Sequence, residues 1–270
     1  MKLNTSWSVP TSTGPFGSWL ARYRKYADNC ARSGFVPKTH KWVQMLSALI
    51  ARFWVFIQIG SVKVIGAENL DAPGRLIYCP NHVGMHDGNV LYPYLMRRTR
   101  FMFAAEEMRG FWGLRQILTG AAGAFPVDRD RGGTVVQPAI DALTSGDPLF
   151  MFPEGKISKT GELQPLKTGA ARIALGVWER VGRLGLVGIV PIYIHYHSRH
   201  DESSNVDFLS MGLKWRGGVT VVVGEPIYMH QLPSPDKDSV TAALETTIRK
   251  LASMMVPARV PEYDDEPMFV

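Results

Sequence analysis

Two short strings hold the residue types best suited to chemistry, and the first combines a base with a carboxylate. In the string from Asn81 to Asp87, NHVGMHD, His82 precedes Asp87 by five positions. A neutral imidazole takes a proton from a hydroxyl near neutral pH if another group fixes its tautomer and orientation. The string has no serine or cysteine, so the nucleophile it predicts is a hydroxyl of the substrate. This string alone leaves open a capping aspartate beside a solvated histidine.

The second string, FPEGKIS, runs from Phe152 to Ser158 after an apolar stretch. Glu154 can accept hydrogen bonds from a polyol, and Gly155 allows a ligand to approach the backbone closely. Lys156 adds a positive charge to the same turn. These residues predict a pocket for a polar substrate.

A third polar turn, Asp128 to Arg131, lies between the two strings. Arg129 offers a planar fork that suits a phosphate group, and Lys167 further along the chain can add a point charge. The alternative is that the two arginines of this turn pair with its aspartates in solvent.

Histidine spacing leaves a metal site open as an alternative. A metal-dependent hydrolase would use His82, His86, His195, His197 and His200. A dinuclear metal centre also requires several carboxylate ligands, and no remaining pattern in the sequence completes such a ligand set. The favoured interpretation therefore contains no metal and no cofactor.

Strands and helices alternate along the chain, which predicts an α/β fold with a mostly parallel layered sheet flanked by helices. In such sheets, sites lie where strands end and helices begin, and all three polar turns occur at such points. The predicted strands are 61–65, 75–79, 101–104, 123–127, 148–152, 186–193 and 219–223, and the predicted helices are 87–96, 111–119, 135–144, 167–181 and 240–255.

The N-terminal region predicts a membrane-associating helical hairpin. The stretch from Trp42 to Gly60 nearly reaches the length of a spanning helix, but Arg52 near its middle makes spanning unfavourable. An upstream helix carries basic residues beside an aromatic face, so the pair suits the membrane interface. The alternatives are that this stretch spans the membrane or that both helices simply pack on the core. The aromatic face consists of Trp19, Tyr23 and Tyr26, followed by Cys30.

Composition sets broad limits on the class of protein. The 270 residues are 46% hydrophobic and carry a net charge of +6, which favours anionic partners. No zinc-finger spacing or RNA-binding signature is visible, so we expect no nucleic acid. Two cysteines, Cys30 and Cys79, indicate a reducing compartment. We expect a tail and interfacial helices in 1–60, a catalytic domain in 61–256, and a flexible tail in 257–270; residues 1–15 do not read as a secretory signal.

The turns taken together resemble the motifs of the glycerolipid acyltransferase family, which includes bacterial 1-acyl-glycerol-3-phosphate acyltransferases. His82 and Asp87 match its His-x4-Asp motif. The other matches are Gly123 to Arg129, Phe152 to Gly155 with Ser158, Val190 to Ile192, and Lys167 to Ala171.

The resemblance implies acyl transfer from acyl-CoA or acyl-carrier protein to a lysophospholipid hydroxyl, with 1-acyl-glycerol 3-phosphate as the expected acceptor, in phospholipid biosynthesis or remodelling. It gives His82 and Asp87 the catalytic roles. The substrate-binding roles fall to Arg129, Glu154, Gly155, Lys156, Ser158 and Lys167. It also implies a membrane-associated protein at the cytoplasmic face of the (inner) membrane. A non-catalytic lipid-binding relative is a further alternative.

Two departures from the family pattern bear on the acceptor. Lysophosphatidate enzymes commonly have Thr-Arg before the serine, whereas this chain has Lys156 and Ile157. A lysine lacks the bidentate fork of arginine. Glu106 and Glu107 also replace a Lys-Glu pair. The sequence therefore predicts the reaction more firmly than the lipid.

Overall fold

An eight-stranded sheet forms the centre of the computed structural model, which describes residues 41–84, 86–95, 99–104, 122–127, 136–158, 160–182, 185–197 and 217–255. The strands are, in chain order, β1 Val62–Ile65, β2 Arg75–Pro80, β3 Arg100–Ala104, β4 Ala124–Val127, β5 Leu149–Phe150, β6 Val187–Tyr196, β7 Val219–Val223 and β8 Ile227–Tyr228.

The strand order is β1-β7-β6-β2-β5-β3-β4, and β8 pairs with the first half of β6. Strands β6, β2, β5, β3 and β4 are mutually parallel. Strands β7 and β8 run antiparallel to β6, and β1 is parallel to β7. The predicted mostly parallel sheet is confirmed. The carboxyl ends of β2, β4, β5 and β6 meet at one edge, where the strings that begin at Asn81 and Phe152 follow β2 and β5.

Helices cover both faces of the sheet. They are α1 Lys41–Gln58, α2 Asp87–Leu91, α3 Gln137–Thr144, α4 Gly169–Val181 and α5 Lys237–Ser253. Alternate side chains of β6 face two hydrophobic cores: Ile192 and Ile194 lie in the core under α1 and α2, and Val187 and Ile189 lie in the core under α3, α4 and α5. The predicted helix 111–119 lies outside the described residues.

Several elements are shorter than predicted, and three of them show local features at the changed end. Helix α2 ends at Leu91 because Pro93 lacks an amide donor, and a 3-10 turn, Tyr92–Tyr94, follows it. Strand β5 spans Leu149–Phe150 only, since the chain turns away towards Gly155. Helix α4 begins at Gly169, two residues after Lys167, and Thr168 is its N-cap residue.

The polarity of α1 is the reverse of that of an ordinary surface helix. Its inward face buries two glutamines and small apolar residues: Val43, Gln44, Ala48, Ala51, Val55 and Gln58. Its outward face exposes large apolar side chains: Trp42, Met45, Leu46, Leu49, Ile50, Phe53, Phe56 and Ile57. Among the residues described, no helix is both long and apolar enough to traverse a bilayer. The predicted upstream helix and C-terminal tail lie outside the described ranges.

Candidate active site

The first motif leaves the sheet from a fixed point at the end of β2. Pro80 ends the strand, and the side chain of the fully buried Asn81 continues the pairing with β6. The Ile194 amide donates to Asn81 Oδ1 at 2.7 Å, and Asn81 Nδ2 donates to the Ile194 carbonyl at 3.2 Å. A side-chain amide thus replaces a peptide group in the ladder, and His82 starts from a rigid position.

His82 and Asp87 are in hydrogen-bond contact, with Nδ1 and Oδ2 2.9 Å apart. Asp87 is the first residue of α2 and is fully buried. Its Oδ2 also accepts the amides of Val83 at 2.7 Å and Gly84 at 2.9 Å. Because a carboxylate only accepts hydrogen bonds, Nδ1 carries the hydrogen and Nε2 is left as the basic nitrogen.

Phe152 fixes the plane of the histidine ring. The rings of His82 and Phe152 are stacked, with centroids 3.7 Å apart and planes 10° from parallel. The His82 side chain is 17% exposed, so the ring reaches solvent only at its edge. Stacking on one face and the Asp87 contact together hold the imidazole in one orientation.

Glu154 braces the first motif from the second. Its Oε1 accepts the His82 amide at 2.6 Å and its Oε2 accepts the Gln164 amide at 2.8 Å. Burial raises the pKa of this carboxyl above its ordinary value, while the two amide hydrogen bonds act in the opposite direction. Glu154 is 1% exposed and both of its oxygens accept backbone amides, and its predicted contact with a polyol stays a prediction.

Ser158 has a similar bracing position. Its amide donates to the His82 carbonyl at 2.7 Å, and its hydroxyl donates to the Glu162 carbonyl at 2.7 Å. The Gly161 amide donates to the same hydroxyl at 3.1 Å. The predicted binding role of Ser158 stays a prediction, and the contacts show a buried side chain that closes the loop beneath the histidine.

Gly155 and Lys167 are brought together, as a polar pocket requires. Gly155 has φ +71°, a left-handed conformation, and a methyl group placed on it would come within 2.9 Å of Lys167 Nζ. The Lys167 amide donates to the Pro153 carbonyl at 2.9 Å, which anchors its backbone beside the turn. The ammonium groups of Lys156 and Lys167 both belong to exposed residues.

The predicted residue Arg129 lies outside the described residues, as do Glu106 and Glu107. What the structure does give is strand β4, which ends at Val127, parallel to β3 and at the same sheet edge as the first motif. The phosphate-binding role of Arg129 stays a prediction.

The described residues do not assemble the ligand set of the metal-site alternative. His195 precedes Tyr196 on β6, so it projects from the sheet face opposite to the one that reaches Asp87, and His197 directly follows the strand. His197 Nε2 lies 2.9 Å from Thr220 Oγ1. Across the described ranges, which exclude His200, no three histidine, cysteine or acidic side chains converge to hold a metal ion.

Tyr196 is the site residue that the sequence did not reveal. Its hydroxyl donates to Asp87 Oδ1 at 2.8 Å, across 109 positions of chain. The available signal was its position two residues after Ile194 on the same face of a strand ending at the site.

Backbone donors in the first motif are already in use. The amides of His82, Val83 and Gly84 donate to Glu154 and Asp87. Carboxylate oxygens therefore occupy all three of these amides.

Comparison with known proteins gives a consistent pattern. A family model described as Acyltransferase matches residues 61–195, half of the chain. A glycerol-3-phosphate acyltransferase of Pseudomonas syringae pv. tomato is 29% identical over 219 residues, which are 70% of this chain and 26% of that protein. A 1-acyl-sn-glycerol-3-phosphate acyltransferase of Chlamydomonas reinhardtii is 30% identical over 129 residues, 47% of this chain and 39% of that protein.

A solved structure shares the fold. The 1-acyl-sn-glycerophosphate acyltransferase of Thermotoga maritima superposes with a TM-score of 0.61 at 17% identity, covering 89% of this chain and 97% of that one. The curated relatives are longer, since the chain spans 26% and 39% of the two named above.

Proposed function

Because this chain belongs to the acyltransferase family, as its motifs predicted, we propose that it transfers a fatty acyl group to the hydroxyl of a lysophospholipid in phospholipid biosynthesis or remodelling. The donor is a thioester, acyl-CoA or acyl-carrier protein, and the favoured acceptor is 1-acyl-glycerol 3-phosphate. The observation that carries the proposal is the His82–Asp87 contact, which leaves Nε2 as a base.

In the proposed reaction, His82 Nε2 takes the proton of the acceptor hydroxyl as its oxygen attacks the thioester carbonyl carbon. The tetrahedral intermediate then collapses, the carbon–sulfur bond breaks, and the new ester remains. The imidazolium returns its proton to the departing thiolate, and Asp87 stabilises the imidazolium in between. The reaction needs no redox partner. An intact and oriented pair argues against a non-catalytic lipid-binding relative.

Lys167 beside Gly155 supports recognition of the acceptor phosphate. The positive φ of Gly155 and its missing side chain leave room for the lysine at the turn. Lysine binds phosphate as a point charge, and Arg129 after β4 is proposed to add a fork. The names of the relatives support phosphate-bearing glycerol acceptors, with and without an acyl chain.

The outward face of α1 supports association with a membrane surface. Trp42, Phe53 and Phe56 are 67%, 65% and 64% exposed. A contiguous exposed apolar face of this kind marks an interaction surface, and aromatic side chains suit the lipid interface. We propose that α1 lies on the cytoplasmic face of the (inner) membrane, where the acceptor resides and thioester donors are available. This location favours a lysophospholipid over water-soluble glycerol 3-phosphate.

The reaction is tested by following thiol release from acyl-CoA and from acyl-carrier protein with a panel of acceptors. We expect release with 1-acyl-glycerol 3-phosphate and little with glycerol 3-phosphate. His82→Ala should abolish turnover while the circular dichroism spectrum is retained. Absence of release with every donor and lysophospholipid, or normal turnover in folded His82→Ala, contradicts the proposal. Preference for glycerol 3-phosphate would correct the acceptor.

The phosphate role is tested with Lys167→Ala, which should raise KM for a phosphate-bearing acceptor about tenfold, the equivalent of one charge-assisted contact. Lys237→Ala, at the exposed start of α5, is the matched control and should leave KM unchanged. Equal KM values in the two variants contradict the assignment of Lys167.

The membrane role is tested by flotation with vesicles of phosphatidylglycerol and phosphatidylethanolamine. Phe53→Ser with Phe56→Ser should release the protein from the vesicles. Met254→Ser is the control, because Met254 is 63% exposed but lies after α5. Equal flotation of both variants contradicts the assignment of α1.

A further inference from the structure

The carboxylate of Asp87 is held from two sides, and one of them is strand β6. Oδ2 accepts hydrogen bonds from His82 and from two amides of its own loop. Oδ1 receives the hydroxyl of Tyr196, the last residue of β6, at 2.8 Å. Asp87 is fully buried and Tyr196 is 7% exposed, so this contact is shielded from water.

We propose that Tyr196 is a positioning residue for acyl transfer, which fixes the Asp87 carboxylate so that Oδ2 faces the histidine. The inference rests on the proposed function. A carboxylate rotates easily about its last bond because that torsion has broad, two-fold wells. A donor from the rigid sheet on Oδ1 removes this freedom, while the loop donors on Oδ2 move with the loop that carries His82.

The chemistry of Tyr196 suits this role. Burial, the charge of Asp87 and their hydrogen bond all raise the pKa of the Tyr196 hydroxyl, so it stays protonated and donates. A donor on Oδ1 also draws part of the negative charge away from Oδ2. Tyr196 therefore sets both the direction and the strength of the attraction between Asp87 and the protonated histidine.

Other titratable groups also face the pair from the elements around it. Glu154, on the loop after β5, accepts the His82 amide. His86, the N-cap of α2, has its pKa lowered by burial, against the opposing effect of Asp87. Neither contacts Asp87 Oδ1 in the hydrogen bonds described for this site. Removal of the Tyr196 hydroxyl leaves these groups in place and concentrates charge on the carboxylate. The acidic limb of the rate profile should then move from its wild-type position, because the hydroxyl no longer fixes and polarises the carboxylate that faces protonated His82.

The test compares Tyr196→Phe with Tyr78→Phe in the full-length protein. Tyr78 is a matched control, since it is also buried and its hydroxyl donates to the Leu70 carbonyl at 2.6 Å, away from the dyad. For Tyr196→Phe we expect kcat about tenfold lower, KM unchanged, and the acidic limb of kcat displaced from its wild-type position; the rate loss corresponds to about 1.4 kcal/mol. Tyr78→Phe should change only the unfolding temperature.

The outcomes separate this inference from the function it rests on. An inactive wild-type protein rejects the acyltransferase proposal itself. If the wild type is active and Tyr196→Phe has the same kcat and the same acidic limb as Tyr78→Phe, the proposed role of Tyr196 is overturned. A loss of kcat with an unmoved limb also overturns it, because a purely structural defect lowers the rate without changing the titration.

Discussion

Replacing Asp87 by asparagine separates the charge of the catalytic pair from its geometry. Asparagine keeps one oxygen, which can still accept hydrogen bonds from His82, Val83 and Gly84. Its amide group then faces the hydroxyl of Tyr196, which can accept as well as donate. We therefore expect the Asp87→Asn variant to fold, with a loss of about 1 kcal/mol in the free energy of unfolding.

The expected loss of rate follows from the distance within the pair. Two unit charges 2.9 Å apart attract by about 6 kcal/mol at an effective dielectric constant of about 20. By the same Coulomb relation, the dipole of an asparagine amide recovers roughly a third of this attraction. The transition state then loses about 4 kcal/mol, which lowers kcat by about 10³-fold.

The assay is initial-rate thiol release at saturating acceptor, with urea unfolding measured in parallel. Asp87→Ala provides the contrast, because it leaves the buried amides of Val83 and Gly84 without their acceptor at about 1–3 kcal/mol each. It should lose both rate and stability, whereas Asp87→Asn should lose mainly rate. An asparagine variant with more than a tenth of the wild-type kcat would refute the electrostatic role of Asp87.

Three further perturbations have defined outcomes. Burial raises the pKa of Glu154 above its ordinary 4.5. Its contribution to the free energy of unfolding is therefore complete below pH 4.5 and is lost as pH rises through the folded pKa. Urea unfolding measured at several pH values should show this loss of stability in the wild type and lack it in Glu154→Gln. Gly155→Ala and Gly146→Ala both place a side chain at positive φ, and each should lower the free energy of unfolding by about 1 kcal/mol. The new methyl group at Gly155 meets Lys167, whereas the space beside Gly146 is open. Only Gly155→Ala should therefore raise KM for phosphate-bearing acceptors. Asn81→Ala leaves two buried peptide groups of β6 unpaired and should lower the unfolding free energy by about 2–4 kcal/mol in urea titrations.

Most of the fold followed from patterns that are local in the chain. The apolar run of β7 was predicted with its observed ends, and β2 and β6 were placed within three residues. Helix α5 begins three residues before its predicted start. Asp236 and Ser239 form a capping box there, and this signal is local in the sequence. The antiparallel pairing of β7 with β6 was not predicted, since pairing direction depends on contacts between distant segments.

The candidate site was only partly readable for the same reason. The five-residue spacing between His82 and Asp87 reports a local contact, and the structure has that contact. The sequence did not indicate that Glu154 and Ser158 contact the backbone of the first motif, and their predicted roles in substrate binding stay predictions. Tyr196 was missed because nothing local links a strand-end tyrosine to an aspartate 109 positions away.

The three hydrogen bonds that join Asn81 to Ile194, His82 to Glu154 and Asp87 to Tyr196 span 113, 72 and 109 positions. Such contacts form only after long loops close, and they make folding slow relative to helix formation. The contacts on which the proposed activity depends therefore form late in the folding of this chain. During refolding from urea, the far-ultraviolet helix signal should recover first, and turnover should return only when β6 has joined β2.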